Sequence, residues 1–279
     1  MGSDKLLGEF LRARREVTTP EQAGLPDVGP RRTPGLRREE VATLADVSTD
    51  YYVRLEQGRE HHPSERVLDA LVRVLCLGPD AAAHLYELAH PGSRQRGTAG
   101  EPDRVSPALL RLMRGWSHTA AFVMGRWQDV LATNPLADAL HDGLEYADNL
   151  LRLTFLNPEA RVFYRDWERV ARSRVAHLRA AAGADLDDPR LIELVGELSL
   201  ISEDFRQLWA RHDVFGITRE SRRIHHRQVG DLTLTTEVFN VAGTPDQQLV
   251  VVHTEPASPS ERALALLAGL AVMTHDGGP

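Results

Sequence analysis

The chain is almost free of cysteine. Cys76, the single one in 279 residues, cannot close an intramolecular disulfide, and no Cys or His partner stands at metal spacing from it. A disulfide framework is thereby excluded, and a reducing, cytoplasmic setting is expected. The thiol lies in the apolar run Leu71 to Leu77, where a buried core position is expected. Long hydrophobic runs are missing too. The longest uncharged apolar stretches, 249–252 and 263–273, fall well below the roughly 20 residues of a membrane span. No apolar signal segment follows Met1, so neither export nor membrane association is expected.

Excess positive charge is also absent. The formal net charge of −7 at pH 7 taken alone argues against a nucleic-acid partner. The acidity is uneven, however: residues 1–97 carry 14 Lys+Arg against 15 Asp+Glu, and residues 98–279 carry 19 against 25. Arg31, Arg32, Arg37 and Arg38 fall within eight residues that hold no acid, and phosphate binding needs only such a local basic surface. Hydrophobic residues at 42%, with both charge signs interspersed, describe a globular chain. Internal repeats are missing, which argues against a helical solenoid.

Length points to two domains. Residues 91–107 combine Pro, Gly and polar residues without an apolar period and form the expected linker. Before it, apolar residues recur at helical spacing in five places: around Leu7 to Leu11, Val41 to Ala45, Tyr52 to Leu55, Val67 to Leu75, and Leu85 to Leu88. Residues 1–90 therefore read as an all-α domain of five short helices. After the linker, 121–125 and 129–133 read as a hairpin, and 232–241 and 248–255 as strands. Between them lies a helical block, with one long helix over 159–182 and two more within 189–211. That order gives an α+β domain over 108–273 with a mainly antiparallel sheet.

The most informative segment runs from Arg38 to Gln57. Two short helices crossing steeply need a small residue at the close approach, apolar residues facing inward, and a tight turn. Ala42 is the small residue; Val41, Ala45, Val47, Tyr52 and Leu55 face inward; Ser48 stands where the second helix needs its cap. Asp46 occupies the turn position that wants a positive φ, which Asp tolerates. This segment resembles the phage-repressor class of helix-turn-helix domains, the XRE family, and Leu55-Glu56-Gln57-Gly58 resembles the ending of that family's recognition helix. The stretch from Arg31 to Ala42 resembles its MmyB-like branch.

The resemblance implies double-stranded DNA as partner, read in the major groove over paired half-sites by a homodimer. Carried over by position, Ser48, Thr49, Asp50, Tyr51 and Arg54 would enter the groove. Arg54 suits a guanine edge, Asp50 a cytosine amine or a capping role, and Tyr51 a thymine methyl or a phosphate. Arg31, Arg32 and Arg38 would hold the DNA backbone. The family also implies a structural ion pair between Glu56 and Arg15.

Residues 108–273 resemble the MmyB-like ligand-binding domain, with a PAS-like fold, through 127–137, 149–158, 166–168, 204–209 and 229–234. Where that family usually shows His-Pro, this chain has His226-Arg227. The resemblance implies a hydrophobic small-molecule site for a fatty-acid-like or other apolar effector. Phe122, Met124, Trp127, Phe155, Phe163, Trp167, Phe205 and Trp209 are candidates to line it, with Asn134 or His226 fixing a polar head; plain core packing is the competing role for each. No cofactor is implied. His61-His62 and His225-His226 lack further ligands at metal spacing, so no metal is expected. Catalytic motifs are absent as well, and no enzymatic activity is expected. The competing readings are a DNA-binding dimer that senses nothing and, from another class, an enzyme targeted by its helix-turn-helix.

Overall fold

The computed structural model describes residues 3–26, 35–60, 63–90, 104–183, 186–215, 219–244 and 246–275. Arg31, Arg32, the His61-His62 pair and most of the expected linker lie outside them. The chain forms two compact units. One comprises Met1–Gln95, Val175–Glu197 and Glu203–Gly216; the other Arg96–Arg174, Leu198–Ser202 and Ile217–Pro279.

The first unit holds the five expected helices: α1 (Ser3–Val17), α2 (Arg38–Leu44), α3 (Thr49–Glu56), α4 (Glu65–Val74) and α5 (Pro79–Ala89). Their inward residues, among them Leu7, Phe10, Leu11, Val41, Tyr52, Leu55, Leu68, Leu71 and Leu85, form one core. Gly8 permits the closest crossing: a Cβ there would lie 2.3 Å from the Glu56 carbonyl oxygen, so α1 runs against the end of α3. Asp46 makes the turn between α2 and α3 with φ 56°, the left-handed geometry its position required. Cys76 corrects the expectation of a core thiol. Leu75 ends the apolar face of α4, and Cys76 turns out at φ 50° to an exposed position.

The second unit is built on one antiparallel sheet of order β2-β1-β5-β4-β3. Its strands are β1 (Ala120–Met124), β2 (Val130–Thr133), β3 (Arg219–His226), β4 (Gly230–Asn240) and β5 (Gln248–His253). All of β1 is buried because both its faces are covered. Ala121 and Val123 pack with Met113 of α6 (Pro107–Arg114), while the opposite face carries Phe122 toward α7 (Pro135–Leu140) and α8 (Leu150–Phe155). This is the expected α+β class with an antiparallel sheet. The helix α13 (Pro259–His275), packed on α7 and β4, was not foreseen.

The long helix expected over 159–182 is two helices, α9 (Ala160–Phe163) and α10 (Trp167–Ala182). Between them Tyr164 bridges Ile224 of β3, the Arg165 N–H donates to the Arg223 carbonyl at 3.0 Å, and Arg223 Nε donates to Asp166 at 2.9 Å. The backbone leaves the helix to join the sheet edge. The remaining helices, α11 (Pro189–Ile201) and α12 (Glu203–Ala210), are the two expected there.

Candidate functional site

The turn and the cap fix where α3 presents its side chains. Ser48 Oγ accepts a hydrogen bond from the Tyr51 N–H at 3.1 Å, satisfying one of the orphan donors of the first turn. Tyr52, Leu55 and Glu56 are buried, Tyr51 is half-buried, and Ser48, Thr49, Asp50 and Arg54 are exposed. Asp50 and Arg54, one turn apart, pair at 3.1 Å. An exposed pair of this kind is worth only about 0.3–0.5 kcal/mol, so either side chain can exchange its partner for a base edge at small cost. Burial, then the charge of Glu60, raises the Tyr51 pKa and keeps its hydroxyl protonated.

Behind this face lies a charged cluster. Glu56 Oε1 accepts from Arg15 Nε at 2.5 Å and Oε2 from Arg38 Nε at 2.6 Å, with the Glu56 side chain only 1% exposed. Arg15 also donates from Nη1 to the Leu36 carbonyl at 3.0 Å. Burial opposes the charge on Arg15, but its hydrogen bond to Glu56 and that charge outweigh it and raise its pKa. Tyr52, beside them, is pushed up by burial and then by the charge of Glu56. The pair of Arg15 and Glu56 is in place, and a third member joins it. Arg38, expected to face phosphate, is tied by one edge to the buried carboxylate while its side chain stays 45% exposed.

In the second unit a cavity of about 130 Å³ lies between the β1–β2 hairpin and α7. It is lined by Phe122, Val130, Thr133, Ala137, Asp138, His141, Ala147 and Leu150. Of the residues expected to line a ligand site, Phe122 does so here. Met124 and Trp127 are buried in the core, and Arg126 lies over the Trp127 ring at 4.4 Å. Phe155 meets Trp167 edge-on at 5.9 Å, and Trp167 donates from Nε1 to the Thr154 carbonyl at 2.9 Å. Phe163 packs on Tyr164 at 4.8 Å and lies 6.1 Å from the His141 ring. Phe205 and Trp209 stack on each other in the first unit, where Arg179 covers Trp209 at 3.8 Å.

The two expected head-group residues serve the backbone. Asn134 Oδ1 accepts from the N–H groups of Ala121 and Ala137, both at 3.0 Å, and Nδ2 donates to the carbonyls of Trp116 and Thr119 at 3.1 and 2.8 Å. His226 Nε2 meets the Ala139 carbonyl at 3.1 Å and Nδ1 accepts from the Gln228 N–H at 3.3 Å. Burial lowers its pKa, which suits that neutral tautomer. Asp138 and His141 escaped the sequence reading. Their signal was there: Asn134-Pro135 opens a helix, and residues three apart on a helix share a face.

Among the described residues no cluster of three or more His, Cys, Asp or Glu could hold a metal, and no helix is long and apolar enough to cross a membrane. Comparison with curated proteins finds no match. Residues 6–85 match the family of helix-turn-helix domains, and residues 105–267 match the family described as the MmyB-like transcription regulator ligand binding domain. With a DNA-binding module ahead of a ligand-binding region that covers more than half its length, the chain belongs to the MmyB-like transcription regulators.

Proposed function

We propose that this DNA-binding regulator reads its operator through α3, acts as a homodimer on paired half-sites, and is modulated by a small apolar effector held within 108–273. Residues 1–90 supply DNA binding, 91–107 the linker, and 108–273 effector binding and dimerisation. The observation that carries the reading is the exposed start of α3, where Ser48, Thr49, Asp50 and Arg54 stand clear of a core that buries Tyr52, Leu55 and Glu56. Arg54 takes a guanine edge and Asp50 a cytosine amine, Tyr51 packs at the groove wall, and Arg31, Arg32 and the free edge of Arg38 hold phosphates. No catalytic step belongs to this function, which agrees with the regulatory character of both matched families.

A single short helix reads few base pairs, and a two-fold pair of such helices on half-sites one helical turn apart is the usual remedy. Selection of duplexes from a random pool by the full chain tests the proposal. It should return an inverted repeat with half-site centres about 10 base pairs apart, bound by two chains in sedimentation. Binding by one chain to a site without symmetry would refute the dimer. Equal binding to all sequences would refute reading by α3.

A further inference from the structure

The cavity beside α7 offers polar groups of one kind. His141 Nδ1 lies 3.0 Å from the Ala137 carbonyl of its own helix. A carbonyl only accepts, so Nδ1 carries the proton. Burial lowers the pKa of His141, the ring is neutral, and Nε2 is left with a lone pair. Nothing among the described residues donates to it. The other polar wall is Asp138, whose Oδ1 accepts the Thr133 hydroxyl at 2.5 Å. With the His141 Nδ1–H spent on the Ala137 carbonyl, that bond uses the remaining donor among the lining side chains. What remains is an imidazole lone pair, a carboxylate and hydroxyl lone pairs, all acceptors.

Charge narrows the choice further. A ligand carboxylate would face the Asp138 carboxylate and the Nε2 lone pair with no donor to receive it. A cation gains little from the other side, because the one carboxylate, Asp138, is exposed to water and already accepts from Thr133. Size decides the rest. About 130 Å³ is close to the roughly 150 Å³ cavity that accepts a single benzene ring, so a ring fills the space while a long acyl chain would have to run out of it into solvent. Phe122 supplies the face for a ring and already meets His141 edge-on at 6.2 Å.

Resting on the effector reading above, we propose that the cavity takes a compact, uncharged ring molecule of about six to eight non-hydrogen atoms bearing a hydroxyl or N–H donor. The donor sits on His141 Nε2, the ring lies against Phe122, Val130, Ala147 and Leu150, and acyl carboxylates are refused. The effector class thus differs from the fatty-acid-like molecule that the family resemblance implied.

Calorimetric and thermal-shift titration of the full chain with phenol, toluene, benzoate and decanoate tests this. Phenol should stabilise the wild type and benzoate and decanoate should not. His141→Phe keeps a ring but removes the acceptor; it should weaken phenol at least tenfold and leave toluene within twofold. Asp138→Asn, which leaves His141 intact, should admit benzoate. Equal phenol affinity in His141→Phe, or wild-type binding of benzoate or decanoate as tight as that of phenol, would overturn the proposal while leaving an effector site standing. If none of the four binds, the proposal is likewise overturned. In that last case native mass spectrometry of the same preparation decides the broader reading: a retained apolar molecule upholds the effector, and its absence removes it.

Discussion

Glu56 is a carboxylate whose two guanidinium partners cannot lose it without being left half-buried or worse. Arg15 is 9% exposed in its side chain, so Glu56→Ala strands a charge in the core and should cost about 3–5 kcal/mol in urea unfolding; a loss below 1 kcal/mol would show the cluster to be ornamental. Arg38 shares that carboxylate. Arg38→Ala should therefore lower the unfolding midpoint as well as weaken binding to every DNA sequence, whereas a purely phosphate-facing residue would do only the second. Local chemistry at Asp46 and Ser48 was legible in the sequence because turn and cap depend on neighbours within three residues. The second tie on Glu56 was not, since it joins positions 18 apart and nothing in the helical period marks it. Histidines set the acid limit. Burial holds His141 and His226 below the ordinary value and pushes His212 down to about 3. The unfolded chain titrates these groups near pH 6.5 and so binds more protons than the folded chain below that pH. Stability should fall as pH drops through about 6.5 and go on falling toward the folded values. Urea midpoints at pH 7.5 and pH 5 check this: the lower pH should give the lower midpoint, and equal midpoints would contradict the assignment.

The helix α3 depends on its entry. Ser48→Ala removes the acceptor for the Tyr51 N–H and should cost about 1 kcal/mol, read by thermal unfolding. Asp46 at φ 56° should tolerate Gly without loss, while a β-branched Val there should cost about 1–2 kcal/mol; the reverse order would mean that the turn is not left-handed. Elements were legible where burial is one-sided, as in the amphipathic helices of the first unit and in β4, whose Leu232, Leu234 and Thr236 alternate inward. The edge strand β3 was missed because its inward positions, Arg222, Ile224 and His226, include a charge and an imidazole. Arg222 can be buried there since Glu220 accepts from it at 2.7 Å, a pairing that hides the alternation from hydropathy. The break between α9 and α10 escaped for a related reason: apolar spacing runs on from Phe163 to Trp167, and it is the pairing of Tyr164 with Ile224 and of Arg165 with Arg223 that interrupts it. The ligand cavity followed neither rule. Large aromatics, the natural candidates, fill space by packing on one another, and the space left open is lined mainly by smaller residues.

The unit that contains the helix-turn-helix is not confined to its own family region. Val214 belongs to its core, and Ala180 and Leu186 pack against it, although all three lie within the segment matched as ligand-binding domain. Arg14 of α1 pairs with Asp213 at 2.7 Å, both largely buried. A fragment ending at residue 90 loses these contacts. It should melt at lower temperature in circular dichroism than the same helices do in the full chain, and an unchanged melting temperature would show that residues 175–216 add nothing to them. On the proposed function, this shared core is where an effector with different affinity for two states would act on the DNA-binding helices. The account as a whole stands on α3 as the reader of sequence. Fluorescence anisotropy of wild type and Arg54→Ala on the selected operator, at one fixed salt concentration with each base substituted in turn, tests it most directly. Arg54→Ala should lose about 1–3 kcal/mol on the operator and relax preference at one guanine in each half-site, with its unfolding midpoint unchanged. Wild-type affinity together with wild-type base preference in Arg54→Ala would contradict the placement of α3 in the major groove.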